Sequence, residues 1–456
     1  MVSDLFALQD DDAPMLARKQ GVVTRQQFAD AALRWAAQLP DTPLAMNVCP
    51  ERGAFMVAFC AVLARGGTNL LPQDALPLTL ARLREHWPGA CTIRDRCRDR
   101  EGVPGDGLAE DYVCDVALLL GSGAAAAGGS AAADRAWQLA ADHVAAVPFT
   151  SGSTGAPQPQ PKRWGAMQFV AAATEARFFA AMPRYGIVAT VPSQHMYGLE
   201  MTLMLALGGR AVVAADRPLL PADVAAALRR LPAPRVLVTT PVHLRALVRA
   251  EQQLPELALI VSATAPLSTT LAARTETLLR APVHEVYGCT EAGALATRRT
   301  VDGDVWQLLD GIRIAPTAGD DAGEVDGPHL VSPVVLPDRI ACVDTQRFQL
   351  LGRRSDMVNV GGKRASLAAL NQKLLEVTGV LDGVIFTPAG AEDEIGRLCG
   401  LVVTDGRSER DVLRELALRV DAVFLPRPFT RVEKIARTAV GTIPRSQLAG
   451  AVRGQH

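Results

Sequence analysis

Aromatic residues are scarce in this chain: 12 Phe, 5 Trp and 4 Tyr make up 5% of its 456 residues. Stacking platforms for single-stranded nucleic acid need such rings in series, which argues against that class of function. An excess of one charge is also lacking, since 47 Lys and Arg face 48 Asp and Glu for a formal net charge of -1. Without such an excess there is no long-range pull toward nucleic acid or an anionic membrane, and neither is expected as a partner. Cysteine is dilute, with 8 scattered residues and no CxxC pair. That usage reads as reduced thiols packing as small apolar groups. The 7 histidines form no HExxH or comparable cluster, so nothing supports a structural zinc site. Long apolar runs are missing too. The stretch from Val116 to Ala133 is mostly Ala broken by Gly and Ser, too weak for a spanning helix. The opening MVSDLFALQDDDAP is acidic where a secretory signal would be basic. A cytoplasmic protein without membrane insertion is the expectation.

A hydrophobic fraction of 49% is ample for packed cores, and the length calls for two or three domains. Short apolar runs at Leu44–Val48, Val116–Leu120, Val144–Phe149, Ile187–Val191, Arg210–Val213, Val236–Thr239 and Ala258–Val261 read as strands. Helical patterns lie between them, at Ala54–Arg65, Gln168–Ala181 and Pro221–Leu231; in the last, Val224, Leu228 and Leu231 fall on one face. Continuous apolar strands alternating with helices predict α/β layers with mainly parallel sheets, covered on both faces. Composition breaks at GRRSDMVNVGGKR, Gly352 to Arg364. The expected division is a large N-terminal domain over 1–351, a hinge at 352–356 and a small α+β C-terminal domain over 357–456. The small domain would hold helices near Leu367–Val377 and Arg410–Val420 and strands near Val380–Thr387 and Leu398–Thr404. The segment Gly121–Asp134 imitates a dinucleotide turn, but Gly128 and Gly129 interrupt its helix and no strand ending in an acid follows. An Ala/Gly/Ser loop accounts for it better.

The segment Thr150-Ser151-Gly152-Ser153-Thr154-Gly155 follows an apolar strand and precedes a helical pattern. Hydroxyls interleaved with glycines free backbone N–H groups to turn toward one anion, the physics of a phosphate nest. It lacks the Lys-Ser or Lys-Thr of a Walker loop. Alone, the segment leaves a phosphate nest and a plain Ser/Gly loop both open. Further along stand VPSQHMYGLE with His195, SATAPL with Ala263, Thr264 and Ala265, YGCTE from Tyr287 to Glu291, then Asp338, Gly352-Arg353 and RTAVG from Arg437 to Gly441.

Together, in this order over residues 149–445, these segments resemble the adenylate-forming ligases, the family of acyl- and aryl-CoA synthetases, peptide-synthetase adenylation domains and luciferases. The resemblance implies ATP and Mg²⁺ as cofactors. Thr150, Ser151, Gly152, Ser153, Thr154 and Gly155 would hold the phosphates, and Ala263–Ala265, Tyr287 and Gly288 the adenine. Asp338 would take the ribose hydroxyls. His195 would lie beside the substrate carboxylate, Thr290 on the alpha phosphate, Glu291 on Mg²⁺ and Arg353 at the opening of a hinge. It also implies that the small domain rotates, bringing Gly361 and Gly362 to the site so that a pantetheine thiol can pass close to backbone. Elementary chemistry agrees. Charge developing at phosphorus calls for hydroxyl and amide donors and a hard cation with oxygen ligands rather than acid–base residues.

Three positions depart from the family's pattern. Gln158 stands where the loop lysine belongs, with Lys162 the nearest replacement. Ser355 and Asn359 occupy hinge positions that often carry Asp and Lys. Thr442 stands where the catalytic lysine of the small domain is expected. Exchanging a cation for a hydroxyl at the site of charge development costs on the order of 10² to 10³ in rate. With the rest of the nucleotide site intact, this reads as a variant with suppressed adenylation; a slow natural form, or Lys434 or Arg445 reaching in, are the alternatives. The expected function is ATP-dependent activation of a small carboxylic acid, such as an aromatic hydroxy acid, then transfer to the phosphopantetheine of an acyl carrier protein. Free CoA as acceptor is the first alternative, a non-catalytic adenylate-binding protein the second.

Overall fold

The structure, a computed structural model, describes residues 2–4, 11–95, 111–114, 137–151, 157–317, 322–353, 357–360, 363–388 and 397–437. Among these residues the larger sheet has 13 strands. They are β1 (Pro14–Arg18), β2 (Gly21–Thr24), β3 (Tyr185–Ala189), β4 (Ala211–Ala214), β5 (Arg235–Thr239), β6 (Leu259–Ser262), β7 (Val283–Cys289), β8 (Gly293–Arg299), β9 (Val305–Leu308), β10 (Arg313–Pro316), β11 (Ala322–Asp326), β12 (Val334–Cys342) and β13 (Arg347–Arg353). Their spatial order is β10-β11-β12-β13-β9-β8-β7-β6-β5-β3-β4-β1-β2. The run from β1 through β4, β3, β5 and β6 to β7 is parallel, and pairing turns antiparallel from β7 to β8 onward.

A smaller sheet is built around Val144–Ser151, Thr68–Leu71, Leu44–Asn47 and Cys91–Asp95, all paired in parallel. Between the two sheets lies Arg52–Ala64, a helix apolar all round, in which every residue to Leu63 is buried. A helix with no polar face has to be sandwiched, and Phe55 and Phe59 join Ile93 and Ala145 of one sheet to Leu16 and Val213 of the other in one core. The opposite face of the large sheet is covered by Pro221–Arg229, Pro241–Arg249 and Thr269–Leu279, whose Leu228, Leu244 and Ala272 pack on Val188, Leu237 and Ile260. Mixed α/β layering with a parallel sheet covered on both faces is therefore present, as the alternation of apolar runs predicts.

The residues from 357 onward have cores of their own. Val358, Leu370, Leu374, Val402 and Val412 form one cluster, around the helix Leu367–Leu375 and the strands Val380–Phe386 and Cys399–Thr404. The strand Phe429–Arg431 completes that sheet in parallel with Cys399–Thr404. Gly352, at φ +109, sits so close to Ser366 that a Cβ there would collide with the serine side chain. The predicted elements fall within a few residues of the observed ones, except that Val116–Leu120 and Gly121–Asp134 lie outside the described residues. The difference is in residues 293–353, read only as part of an α/β domain. They form antiparallel strands, because short connections return all but one of them beside its predecessor; the exception is β10, which starts at the sheet edge so that β13 comes back beside β9.

One buried cation fastens the ends of two central strands. Arg52 is 1% exposed, and its guanidinium donates to the carbonyls of Ala189 (3.1 and 3.0 Å), Val191 (2.7 Å) and Asp216 (3.1 Å). Burial lowers its pKa to about 10, so it stays charged at neutral pH. Replacing it by methionine keeps the stem but takes the guanidinium donors from the buried carbonyls of Ala189 and Val191 and from the half-buried one of Asp216. Arg52→Met should lower the unfolding free energy by about 3 kcal/mol or more, read from urea unfolding.

Candidate active site

In a parallel sheet the crevice for ligands lies beyond the carboxyl ends of the strands. In this chain those ends deliver, in spatial order, the end of β7 from Tyr287 with the following Thr290 and Glu291, Ala263–Leu267 after β6, Thr240 and His243 after β5, Thr190–His195 after β3, and Asp216 and Arg217 after β4. Motifs far apart in the chain thus share one edge of the sheet.

The turn between β7 and β8 is shaped by two glycines. A Cβ on Gly288 would collide with the Gly293 carbonyl, and one on Gly293 (φ +76) would stand 2.6 Å from Glu200 Oε1. Ladder pairing of Cys289 with Gly293 leaves Thr290 and Glu291 at the tip, where Glu291 is exposed. Two charged side chains fasten this tip. Lys162, 9% exposed, donates through Nζ to the Glu291 carbonyl at 2.5 Å. Glu200, 4% exposed, accepts from the Ala294 N–H through Oε2 at 3.2 Å. Burial drives the Glu200 carboxyl up to about 7, with the Lys162 charge pulling the other way. Burial likewise lowers the Lys162 pKa, opposed by Glu200, Cys289 and Glu291. The Cys289 thiol is pushed up to about 12, by burial and then by the Glu291 charge, so it is no thiolate nucleophile at neutral pH.

Tyr287 is mostly enclosed, its ring 5.6 Å from both Trp306 and Phe348. Its hydroxyl donates to Asp338 Oδ2 at 2.7 Å, which joins the β7 motif to β12. Asp338 stands opposite Arg353 in the β12–β13 ladder. The turn after β6 carries Thr264 at φ +77, uncommon for a β-branched residue. Buried Glu285 holds this turn by accepting from the Leu267 N–H (3.1 Å), while its other oxygen takes Arg298 Nε (2.7 Å) and the Thr300 hydroxyl (2.8 Å). The Tyr197 hydroxyl donates to the Val261 carbonyl at 2.8 Å, tying the HMYG segment to the end of β6. Gly198 is needed there, since any Cβ would strike the Pro192 carbonyl. His195 precedes the short helix Met196–Leu199, and burial, then the Arg217 charge, lowers its imidazole to about 4. It is neutral at physiological pH.

A model described as AMP-binding enzyme matches residues 7–319. The chain belongs to that family. A 4-coumarate–CoA ligase of Rhodobacter capsulatus is 33% identical over 52% of this chain and 58% of its own length. A p-hydroxybenzoic acid–AMP ligase of Mycobacterium marinum is 27% identical over 94% of this chain and 65% of its own. The chain thus spans less than two thirds of the length of these curated relatives. In fold it is similar to the O-succinylbenzoate coenzyme A synthetase of Bacillus subtilis in complex with AMP, with a TM-score of 0.79, 18% identity and 98% of both chains covered.

Of the residues that the AMP-binding resemblance singles out, His195, Ala263–Ala265, Tyr287, Gly288, Thr290 and Glu291 share the strand-end crevice, and Asp338 joins them through Tyr287. Thr150 and Ser151 end the strand Val144–Ser151, paired with Gln158 and Pro157 across a hairpin. Gly152, Ser153, Thr154, Gly155, Ser355, Gly361, Gly362 and Thr442 lie outside the described residues. Arg437 forms a bidentate pair with Asp382 at 2.7 and 3.0 Å, beside a cavity of about 230 Å³ that also reaches Ala265 and Arg245. Among the described residues no helix is long and apolar enough to cross a membrane. Sequence reasoning missed Glu200, although a lone carboxylate beginning the apolar run EMTLMLAL was a signal. With its folded pKa above the unfolded one, Glu200 makes the folded state bind more protons between pH 4.5 and about 7, so its contribution to stability falls as pH rises through that window. Glu200→Gln should therefore gain stability relative to the parent as pH is raised from 5 to 8. Melting temperatures of both proteins across that range check it, and a constant difference would contradict the burial-driven shift.

Proposed function

We propose that this chain uses ATP to activate a small carboxylic acid as its acyl-adenylate and then passes the acyl group to a pantetheine thiol. The observation that carries the reading is the meeting, in one strand-end crevice, of the Tyr287–Asp338 hydrogen bond and the Thr290–Glu291 tip fastened by Lys162. The titratable groups here are engaged in holding backbone: the Glu200 carboxyl, raised to about 7, accepts from the Ala294 N–H beneath the tip. Here His195 is held neutral and Cys289 stays a thiol.

In the first step a carboxylate oxygen attacks the alpha phosphorus, the bond to the bridging oxygen breaks, and pyrophosphate leaves. The Thr150–Gly155 loop receives the phosphates, Thr290 the alpha phosphate, Asp338 the ribose, and Ala263–Ala265 with Tyr287 and Gly288 the adenine. His195 faces the acid as a neutral polar wall. Glu291 suits a hard cation that shares its other ligands with phosphate oxygens and water, since no cluster of three His, Cys, Asp or Glu stands ready among the described residues. Bound there, Mg²⁺ would neutralise charge on the phosphates. In the second step the thiol sulfur attacks the acyl carbon and AMP leaves, the thiol proton going to solvent. The division at 1–351, 352–356 and 357–456 is part of this reading. It is supported by the separate core of the last segment and by Arg353 and Gly352 at its threshold.

The names of the two curated relatives share a hydroxylated aromatic acid, which favours that class as substrate here. A carrier protein is our preferred acceptor and CoA the alternative. Thr442 in place of lysine leaves the developing negative charge without its cation. Thr442→Lys should raise acid-dependent exchange of labelled pyrophosphate into ATP by about 10²- to 10³-fold. ATP binding without exchange in either form would favour a non-catalytic adenylate-binding protein instead. Thioester formation with CoA and with a phosphopantetheinylated carrier protein, over a panel of hydroxybenzoic acids, identifies the acceptor.

A further inference from the structure

Arg217 follows β4, the last strand of the crevice, and is only half-buried, yet nothing the reaction uses has been assigned to it. Its position is fixed tightly. Pairing of Tyr185 with Ala211 and of Ile187 with Val213, continued in register, sets Arg217 opposite Val191. Arg52 locks that alignment by donating to Val191 and Asp216 together. The neighbouring Asp216 carboxylate is taken by Arg230, both oxygens at 2.6 Å. Among the described residues no carboxylate, carbonyl or hydroxyl accepts from Arg217. Its charge acts on His195 and on His243, whose Nδ1 lies 2.9 Å from the Thr240 hydroxyl and 3.2 Å from that of Thr190. Both imidazoles are neutral, so neither offers the guanidinium a counter-charge. A half-buried guanidinium with no acceptor among the described residues is free to take one from a ligand, and partial burial strengthens such a charged hydrogen bond.

The location says which part of a ligand that is. From the Thr290–Glu291 tip after β7 to the end of β4 there are four strand steps, about 19 Å at the usual interstrand spacing. The nucleotide end of the crevice and Arg217 therefore lie at opposite extremes, with His195, one strand from Arg217, between them. An acid whose carboxylate meets the alpha phosphate and which extends past His195 along the strand ends brings its far end toward Arg217.

We propose that Arg217 is a specificity-determining residue that reads an oxygen acceptor on the acid at the end distal to the reacting carboxylate, a phenolic oxygen or a second carboxylate. The inference rests on the acid-activating reading above and narrows its substrate class. An acid lacking that oxygen leaves the guanidinium unpaired, and a charged donor left without its acceptor lowers affinity about 10- to 100-fold.

The test uses the full-length protein and calorimetric binding of nonhydrolysable aroyl-sulfamoyl adenosines, which makes the readout independent of turnover and of Thr442. The acyl groups are benzoyl, 3-hydroxybenzoyl, 4-hydroxybenzoyl and 4-carboxybenzoyl, and the proteins are the parent, Arg217→Met and Arg217→Lys. The expected result is that the parent binds at least one oxygen-bearing analogue about 10- to 100-fold more tightly than the benzoyl one. Arg217→Met should erase that ratio while holding benzoyl affinity within about threefold, and Arg217→Lys should restore part of it. The tightest arm tells phenol from carboxylate. Equal binding of all four by the parent, or an unchanged ratio in both variants, overturns the role of Arg217 and leaves acid activation standing. Binding of none of them overturns acid activation itself, and this inference with it.

Discussion

The site depends on two titratable side chains placed where charge is expensive. Lys162 and Glu200 come from different parts of the chain, and both end beneath the same hairpin tip, one holding a carbonyl and the other an N–H. Backbone groups at a tight turn have few partners of their own, so an external donor and acceptor settle which of several turn shapes persists. The arrangement makes the exposed tip rigid without filling the crevice above it. It also explains why glycine is required at position 293: the carboxylate of Glu200 occupies the space that a side chain there would need.

The same logic, polar groups buried in order to fix backbone at the strand ends, recurs along the edge. Arg52 fastens β3 to β4, Glu285 holds the turn after β6, and the Tyr197 hydroxyl ties the HMYG segment to β6. Each of these side chains bonds to backbone at or just beyond a strand end. A parallel sheet ends abruptly on its carboxyl side, and the peptide groups there either bind ligand or need such fasteners. The crevice is thus a series of strand ends in which backbone shape is set from below and chemistry is presented above.

Much of this was legible in the sequence, for a physical reason. Strands buried on both faces are apolar at every position, so Arg235–Thr239 and Leu259–Ser262 stand out as short runs, and the helices between them show their period. The antiparallel strands after Gly293 were not legible, because their burial alternates irregularly, as in Val334–Cys342, where exposed and buried residues follow no clean period. Motif residues such as Tyr287 and Asp338 could be named from their order in the chain. Their hydrogen bond could not, since it depends on the pairing of β12 with β13 and of β7 with β8. Glu200 sits in a π turn, Glu200–Met204, whose extra residue per turn breaks the helical period that would have marked its face.

The position of Lys162 bears on how the missing loop lysine is to be understood. Its ammonium donates to the Glu291 carbonyl from a largely buried site, and burial weakens its hold on the proton. A side chain so placed acts on the Thr290–Glu291 turn through backbone, and reaching a bound phosphate would require it to release that carbonyl. Gln158, exposed beside the hairpin that ends at Thr150, offers a dipole but no charge. Phosphate charge in this chain would then be met chiefly by backbone N–H groups and by the cation at Glu291. On the proposed function, a lysine restored at position 442 would then act at the alpha phosphate, the point where a single added charge would have the largest effect.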